Sequence, residues 1–177
     1  TSKAERLSGT LVLLQSMLGL REPPRRLEAY DISNIAGTDI VASMTVFEDG
    51  KPKKSDYKRF QVRGLTDQDD YASMRQGLCR RFRHYLDGDS GFAERPDALL
   101  IDGGAVHAET VRAALSEMGV FLPIFGMVKD NRHRTRALVT ADGQEISIQS
   151  TPAVFALIGR IQEETHRFAI TYQRTLR

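Results

Sequence analysis

Three residues in this chain combine a reactive side chain with an unusual setting: Asp31, Asp102 and His166. Asp31 interrupts an otherwise apolar, β-rich segment from Leu27 to Ile35. Asp102 ends the run Ala98-Leu99-Leu100-Ile101 and stands directly before Gly103-Gly104. An ionised carboxylate at the end of a buried strand is costly unless it is paired or bound to metal. Ligands of open α/β sheets gather at that carboxyl edge. Each aspartate alone has an ordinary explanation: Asp102 as the cap of the helix that follows, Asp31 as an acceptor in a Ser33-Asn34 turn. If their two strands lie side by side, the carboxylates meet at one end of the sheet. Like charges so close raise each other's pKa unless a cation neutralises them. An oxygen-rich site of this kind suits Mg²⁺ or Mn²⁺, an ion that activates water and stabilises charge on a phosphoryl group.

His166 lies late in the last helical segment, within Glu163-Glu164-Thr165-His166-Arg167-Phe168. Metal ligand, proton carrier and boundary histidine all remain open for it. Glu163 and Glu164 are close enough in sequence for one of them to face the same site. His84, in an arginine-rich helix face, and His107, in the helix after Gly104, are weaker candidates. A third feature is Lys129-Asp130-Asn131-Arg132-His133-Arg134-Thr135-Arg136, with cations at Lys129, Arg132, Arg134 and Arg136. It reads either as a phosphate-binding surface or as a solvated charge run. Arg167, Arg174 and Arg177 extend it along the last helix, where Tyr172 either stacks on a base or packs. Gly103-Gly104 is a weak phosphate-turn signal, without a P-loop lysine or a G-x-G-x-x-G pattern. Ser33, Ser43 and Ser73 lack a nucleophile-elbow context.

The elements that position these residues follow from hydrophobic periodicity. Leu7, Leu11, Leu14 and Leu18 share one face of an opening helix, stopped by Gly19 and Pro23-Pro24. Arg26 to Ile35, Val41 to Phe47 and Lys53 to Val62 read as three strands, the last two joined by an Asp49-Gly50 hairpin. Asp69 to Leu86 reads as a helix with a core stripe of Tyr71, Met74, Leu78, Phe82 and Tyr85, and arginines on its other face. Gly88 to Pro96 is a loop. Asp97 to Asp102 and Leu122 to Val128 read as buried strands, the first typical of a parallel one, with a helix from Val106 to Met118 between them. A hairpin around Asp142-Gly143 follows. A final helix opens near Pro152 and runs to about Tyr172, with Val154, Leu157, Ile158 and Ile161 inward. This order predicts an α/β fold: a mixed central sheet, a three-strand antiparallel meander plus parallel strands, flanked by helices.

Composition bounds the rest. The 177 residues, 41% hydrophobic and 27% charged, suit one globular domain. A net charge of +2 leaves any polyanion contact to a local surface. The lone cysteine, Cys79, excludes an internal disulfide and a cysteine zinc cluster. No apolar run reaches the roughly 20 residues of a membrane helix and no signal peptide is visible, which sets a cytoplasmic expectation. Starting at Thr1 and ending on Arg177, the chain reads as a fragment.

Several ordered motifs carry a family resemblance. Tyr30-Asp31-Ile32-Ser33-Asn34, Gly37-Thr38, Val41-Ala42-Ser43-Met44 and Phe47-Glu48-Asp49-Gly50-Lys51-Pro52 come first. Asp69-Asp70-Tyr71-Ala72-Ser73-Met74-Arg75 and Leu100-Ile101-Asp102-Gly103-Gly104 follow. Lys129-Asp130 with His133-Arg134-Thr135-Arg136, and His166-Arg167-Phe168-Ala169-Ile170-Thr171-Tyr172, complete the set. Together they resemble the endonuclease domain of the UvrC family from about residue 25 to the end.

The resemblance implies an RNase H-like fold. It also implies a site in which Asp31 and Asp102 hold Mg²⁺ or Mn²⁺ and His166 completes it as ligand or general acid/base. The implied activity is the 5′ incision of bacterial nucleotide excision repair, on double-stranded DNA carrying a lesion marked by UvrA and UvrB. Lys129, Arg132, Arg134, Arg136 and Arg167 are then expected to face DNA. Residues 1–24 are expected to form a helix and linker packed on an endonuclease domain at 25–177. Two positions depart from the family: Ala105-Val106-His107-Ala108 replaces a stretch that usually carries lysine and glutamine, and Glu163 replaces a common aspartate. The family's N-terminal nuclease, UvrB-contacting segment and helix-hairpin-helix module are not in this sequence. A stand-alone UvrC-like nuclease and a catalytically silent DNA-binding module are the alternatives.

Overall fold

The computed structural model describes residues 2–35, 39–63 and 69–176, the side chains of Ile35 and of 172–176 apart. Helix α1 (Lys3–Leu18) buries Leu7, Leu11 and Leu14 along one face. The Ser2 hydroxyl accepts from the Glu5 N–H at its start, and Gly19 closes it with a left-handed φ of 67°. Strands β1 (Arg26–Ile35) and β2 (Asp39–Glu48) pair antiparallel. Asp49 and Gly50 both take positive φ, as the tight hairpin turn after β2 demands.

The expected third strand is broken in two. β3 (Lys51–Pro52) and β4 (Lys58–Val62) both pair with β2, on either side of a single 3-10 turn at Lys54–Asp56. Pro52 has no N–H to continue a ladder. The Asp56 carboxylate in the turn accepts from the Arg26 guanidinium at 2.7 Å, which holds the looped-out turn against β1.

The other strands are β5 (Ala98–Asp102), β6 (Ile124–Lys129), β7 (Thr135–Thr140) and β8 (Glu145–Ser147). The sheet order is β3-β2-β1-β5-β6-β7-β8, with β4 also on β2. β1, β5 and β6 run parallel; the rest pair antiparallel. Helices α2 (Asp70–Leu86) and α3 (Ala105–Glu117) cover one face of this mixed α/β sheet, α1 and α4 (Pro152–Leu176) the other. Among the described residues no helix is long and apolar enough to cross a membrane.

One arginine of α2 is not on its wet face. Arg81 is fully buried, with Nη2 at 2.8 Å from Glu28 Oε2 on β1. It also donates to the Phe92 and Glu94 carbonyls. Glu28 is equally buried and accepts from Arg26 and from the Tyr30 hydroxyl as well. The helical stripe of α2 gave no sign of this, because Arg81 shares a turn with Leu78 and Phe82 and its need for a partner is met only by β1. Removing one member of such a pair strands the other charge in the core. Arg81→Ala is expected to lower unfolding stability by about 3–5 kcal/mol, measured by urea denaturation.

Candidate active site

The pleat of three parallel strands assembles the site. Leu27 and Ala29 of β1, Ala98 and Leu100 of β5, and Phe125 and Met127 of β6 all point into the core beneath α4. Side chains alternate along a strand, so the next residues on that face are Asp31, Asp102 and Lys129. The parallel register pairs Tyr30 with Ile101 and Asp102 with Met127, which brings Asp31 level with Asp102 and puts Lys129 two residues further along β6. The apolar stripe thus ends in two carboxylates and an ammonium at the carboxyl edge of the sheet.

These groups line one cavity of about 450 Å³, with Met127, His133, Gln162, Glu163, Thr165 and His166. Lys129 Nζ lies 2.6 Å from Asp102 Oδ1. The Asp31 carboxyl is pushed up to about 8, first by burial, then by its hydrogen bond with Asp102 and by that residue's charge, against the pull of Lys129. Asp31, Asp102 and His166 are therefore brought to one cavity. His166 sits on the α4 wall, and among the described residues no three His, Cys, Asp or Glu side chains are gathered into a ready metal cage. The donors that do converge are two carboxylates whose repulsion is answered by a cation, a set that fits a hard divalent ion completed by water or phosphate oxygens.

The ordinary explanations for both aspartates fall away. Helix α3 is capped by Gly104, whose N–H donates to His107 Nδ1 at 3.3 Å, and not by Asp102. Burial holds the His107 pKa down, which favours the neutral ring that can accept. No turn forms at Ser33-Asn34, because β1 stays paired with β2 to Ile35. The Gly103-Gly104 turn needs room that only glycine leaves: a Cβ at Gly126 would stand 2.4 Å from the Gly103 carbonyl oxygen.

The basic run folds as the β6–β7 turn. Asp130 organises it, accepting from the Arg132 and Arg134 N–H groups at 2.8 and 3.0 Å. Those hydrogen bonds, that from Arg134 foremost, hold the Asp130 pKa down. Gln162 fastens the turn to α4: its carbonyl accepts from the Thr135 N–H at 2.7 Å and its amide donates to the His133 carbonyl at 2.6 Å. Nothing in the sequence pointed to Gln162, since its partners lie a whole hairpin away.

The cations of the run and of α4 part company. Lys129 enters the cavity; Arg132 is exposed; Arg134 leans on Asp130 at 3.4 Å. Arg136 lies at a pairing irregularity and is bound by Glu145 at 2.8 Å. Arg167 is held by Glu164 at 2.6 Å. Tyr172, Arg174 and Arg177 lie outside the described side chains, and Gly37-Thr38 outside the described residues. His84 is bound to Asp89 at 2.7 Å, away from this edge.

A pH dependence follows from Asp31. Its folded pKa exceeds the usual 3.8, so the folded chain holds a proton that the unfolded chain has lost. The contribution of Asp31 to stability is then greatest near and below pH 4 and falls as the pH climbs toward 8. Asp31→Asn removes that slope. In metal-free buffer the variant should melt higher than the parent at pH 8, by roughly 2–4 °C per kcal/mol regained, and the two should converge near pH 4. Parallel melting curves across that range would contradict the assignment of repulsion at this edge.

Comparison with known proteins bears on the whole chain. Residues 15–170 match the family model described as the UvrC RNAse H endonuclease domain. UvrABC system protein C of Caldanaerobacter subterraneus subsp. tengcongensis is 46% identical over 173 residues, 91% of this chain and 28% of that protein. The same protein of Alkaliphilus oremlandii is 43% identical over 185 residues, 98% of this chain and 30% of that protein. The chain thus spans under a third of the relatives it matches. Among solved structures, the catalytic domain of human Endonuclease V superposes with a TM-score of 0.43 at 15% identity, over 80% of this chain and 72% of that one. The motifs at Asp31, Asp102 and His166, the mixed sheet and the match over most of the length agree, and the chain belongs to the UvrC RNase H endonuclease domain family.

Proposed function

We propose that this domain is a divalent-metal-dependent endodeoxyribonuclease that makes the 5′ incision of bacterial nucleotide excision repair. The observation that carries the reading is the meeting of Asp31 and Asp102 beside Lys129 in one open cavity whose opposite wall holds His166. The relatives' name, UvrABC system protein C, supports a lesion-bearing duplex as substrate and UvrA and UvrB as partners, reached through the rest of a longer protein.

Asp31 and Asp102 would hold Mg²⁺ or Mn²⁺, which when bound supplies a Lewis acid for the phosphoryl group and lowers the pKa of water. The protein's own residues do the rest. Lys129 is placed to exchange its contact with Asp102 for one with a phosphate oxygen. Hydrolysis adds water at phosphorus and breaks the bond to the leaving oxygen, which needs a proton. His166 either delivers that proton or fills a ligand position. Gln162 keeps the β6–β7 turn, with Arg132 and Arg134, beside the cavity. Positioning and charge stabilisation provide most of the rate of such a reaction.

Asp102→Asn is expected to abolish cleavage of a damaged duplex while leaving the fold intact, because its side chain borders a solvent-open cavity and supports no core contact. Calorimetric titration of Mn²⁺ should show binding to the parent and none to the Asp31→Asn/Asp102→Asn double variant. Full cleavage by Asp102→Asn would overturn the site. A folded parent that neither binds Mn²⁺ nor cuts DNA would favour a silent binding module.

A further inference from the structure

Two more cavities adjoin the carboxylate cavity along α4, and Glu163 borders all three. On the β7 side, a cavity of about 310 Å³ is lined by His133, Arg134 and Arg160. On the β3 side, one of about 450 Å³ is lined by Lys54, Arg160 and Arg167. The centre sets Asp31, Asp102 and Glu163 against the single ammonium of Lys129, while on each flank cations outnumber carboxylates. Arg160 is the cation common to both flanks.

The spacing explains why. Arg160, Glu163, Glu164 and Arg167 recur at helical intervals of three and four, so they form one outward stripe of α4. Leu157, Ile158, Ile161 and Thr165 occupy the buried side of the same turns. From Arg160 to Arg167 the helix rises about 10 Å, the axial span of roughly three phosphates of one strand of duplex DNA. The cations also differ in their engagement. Arg134, Arg136 and Arg167 each sit in an ion pair, but among the described residues Arg160 and Lys54 sit in none. A guanidinium without a carboxylate partner keeps its full fork of donors for a phosphate.

We propose that the exposed stripe of α4 is the track for the DNA strand's phosphates on either side of the carboxylate cavity, with Arg160 as its central contact and Lys54 as its anchor on the β3 side. This deepens the nuclease reading and rests on it. The acidic centre repels a polyanion on its own, so the flanking cations decide where the strand lies. Arg136, bound by Glu145 on β7, is outside the track.

The test measures association of a labelled duplex with the Asp102→Asn chain by fluorescence anisotropy across a salt series, which prevents cleavage from intruding. Arg160→Gln and Lys54→Gln in that background are each expected to weaken binding several-fold at low salt and to reduce the slope of log affinity against log salt by about 0.9. Arg83→Gln, an exposed arginine of α2 in the opposite layer, should change neither. An unchanged slope for Arg160→Gln, or an equal loss for Arg83→Gln, would overturn the track and leave the nuclease reading standing. Failure of the Asp102→Asn chain itself to bind duplex would remove both.

Discussion

Two carboxylates held side by side at the carboxyl edge of β1 and β5 set the terms for this domain. Burying them together is a standing cost of the fold, visible in the pKa of Asp31, raised first by burial and then by its neighbour Asp102, and in the ammonium of Lys129 drawn onto Asp102. The backbone cannot relieve it, because the parallel ladder between β1 and β5 aligns the strands residue by residue just before the two aspartates. What offsets it is the apolar stripe beneath α4, where Leu27, Ala29, Leu100, Phe125 and Met127 are buried against Leu157, Ile158 and Ile161. The stripe secures the strands and the strands deliver the charges. A site maintained against its own electrostatics is what a functional edge costs in stability.

β1 carries charge on both faces, which makes it the mechanical centre of the sheet. Three residues before Asp31, and on the opposite face, Glu28 is locked to Arg81 and Arg26 inside the α2 layer. That network ties β1 to α2 and to the loop after it, and through Arg26 and Asp56 to the 3-10 turn. Each buried charge has several partners, the condition under which burial is tolerated. On the other side, α4 is set against β2 by the hydrogen bond between the hydroxyls of Thr45 and Thr165 at 2.7 Å. The Arg59 guanidinium adds to this, lying over the Phe168 ring and donating to the Phe168 carbonyl. Thr165 neighbours His166 in the chain, so these contacts fix the part of α4 that presents the imidazole to the cavity.

The basic turn shows how a charge run becomes a shaped surface. Its net charge would favour an extended, solvated loop. Asp130 folds it by accepting backbone N–H groups, and Gln162 pins it to α4. Of the cations in the run, one faces the carboxylates and one is spent on Glu145. Position relative to α4, more than membership of the run, separates these cations from one another.

Much of this was legible in the sequence. Alternation and helical periodicity marked the helices and nearly every strand. Asp31 and Asp102 stood out because a charged group within or at the end of an apolar run demands an explanation, and His166 because an imidazole beside two glutamates late in the last helix can bind metal or carry a proton. Such signals are local: the period of a strand or helix and the affinity of a side chain for water belong to a few neighbouring residues. The sequence by itself therefore determined the elements, the polar interruptions and the motifs that carry the family. Only the tertiary structure decided that the third strand breaks around the turn at Asp56, that Arg81 turns inward to Glu28, that His107 rather than Asp102 serves α3, and that Gln162 lines the same cavity as the two aspartates. Each of those outcomes depends on a partner brought near by the register of the sheet or the packing of α4. A side chain's local pattern records its preference for water or core, and its partner is chosen by the geometry of chain segments far away in sequence.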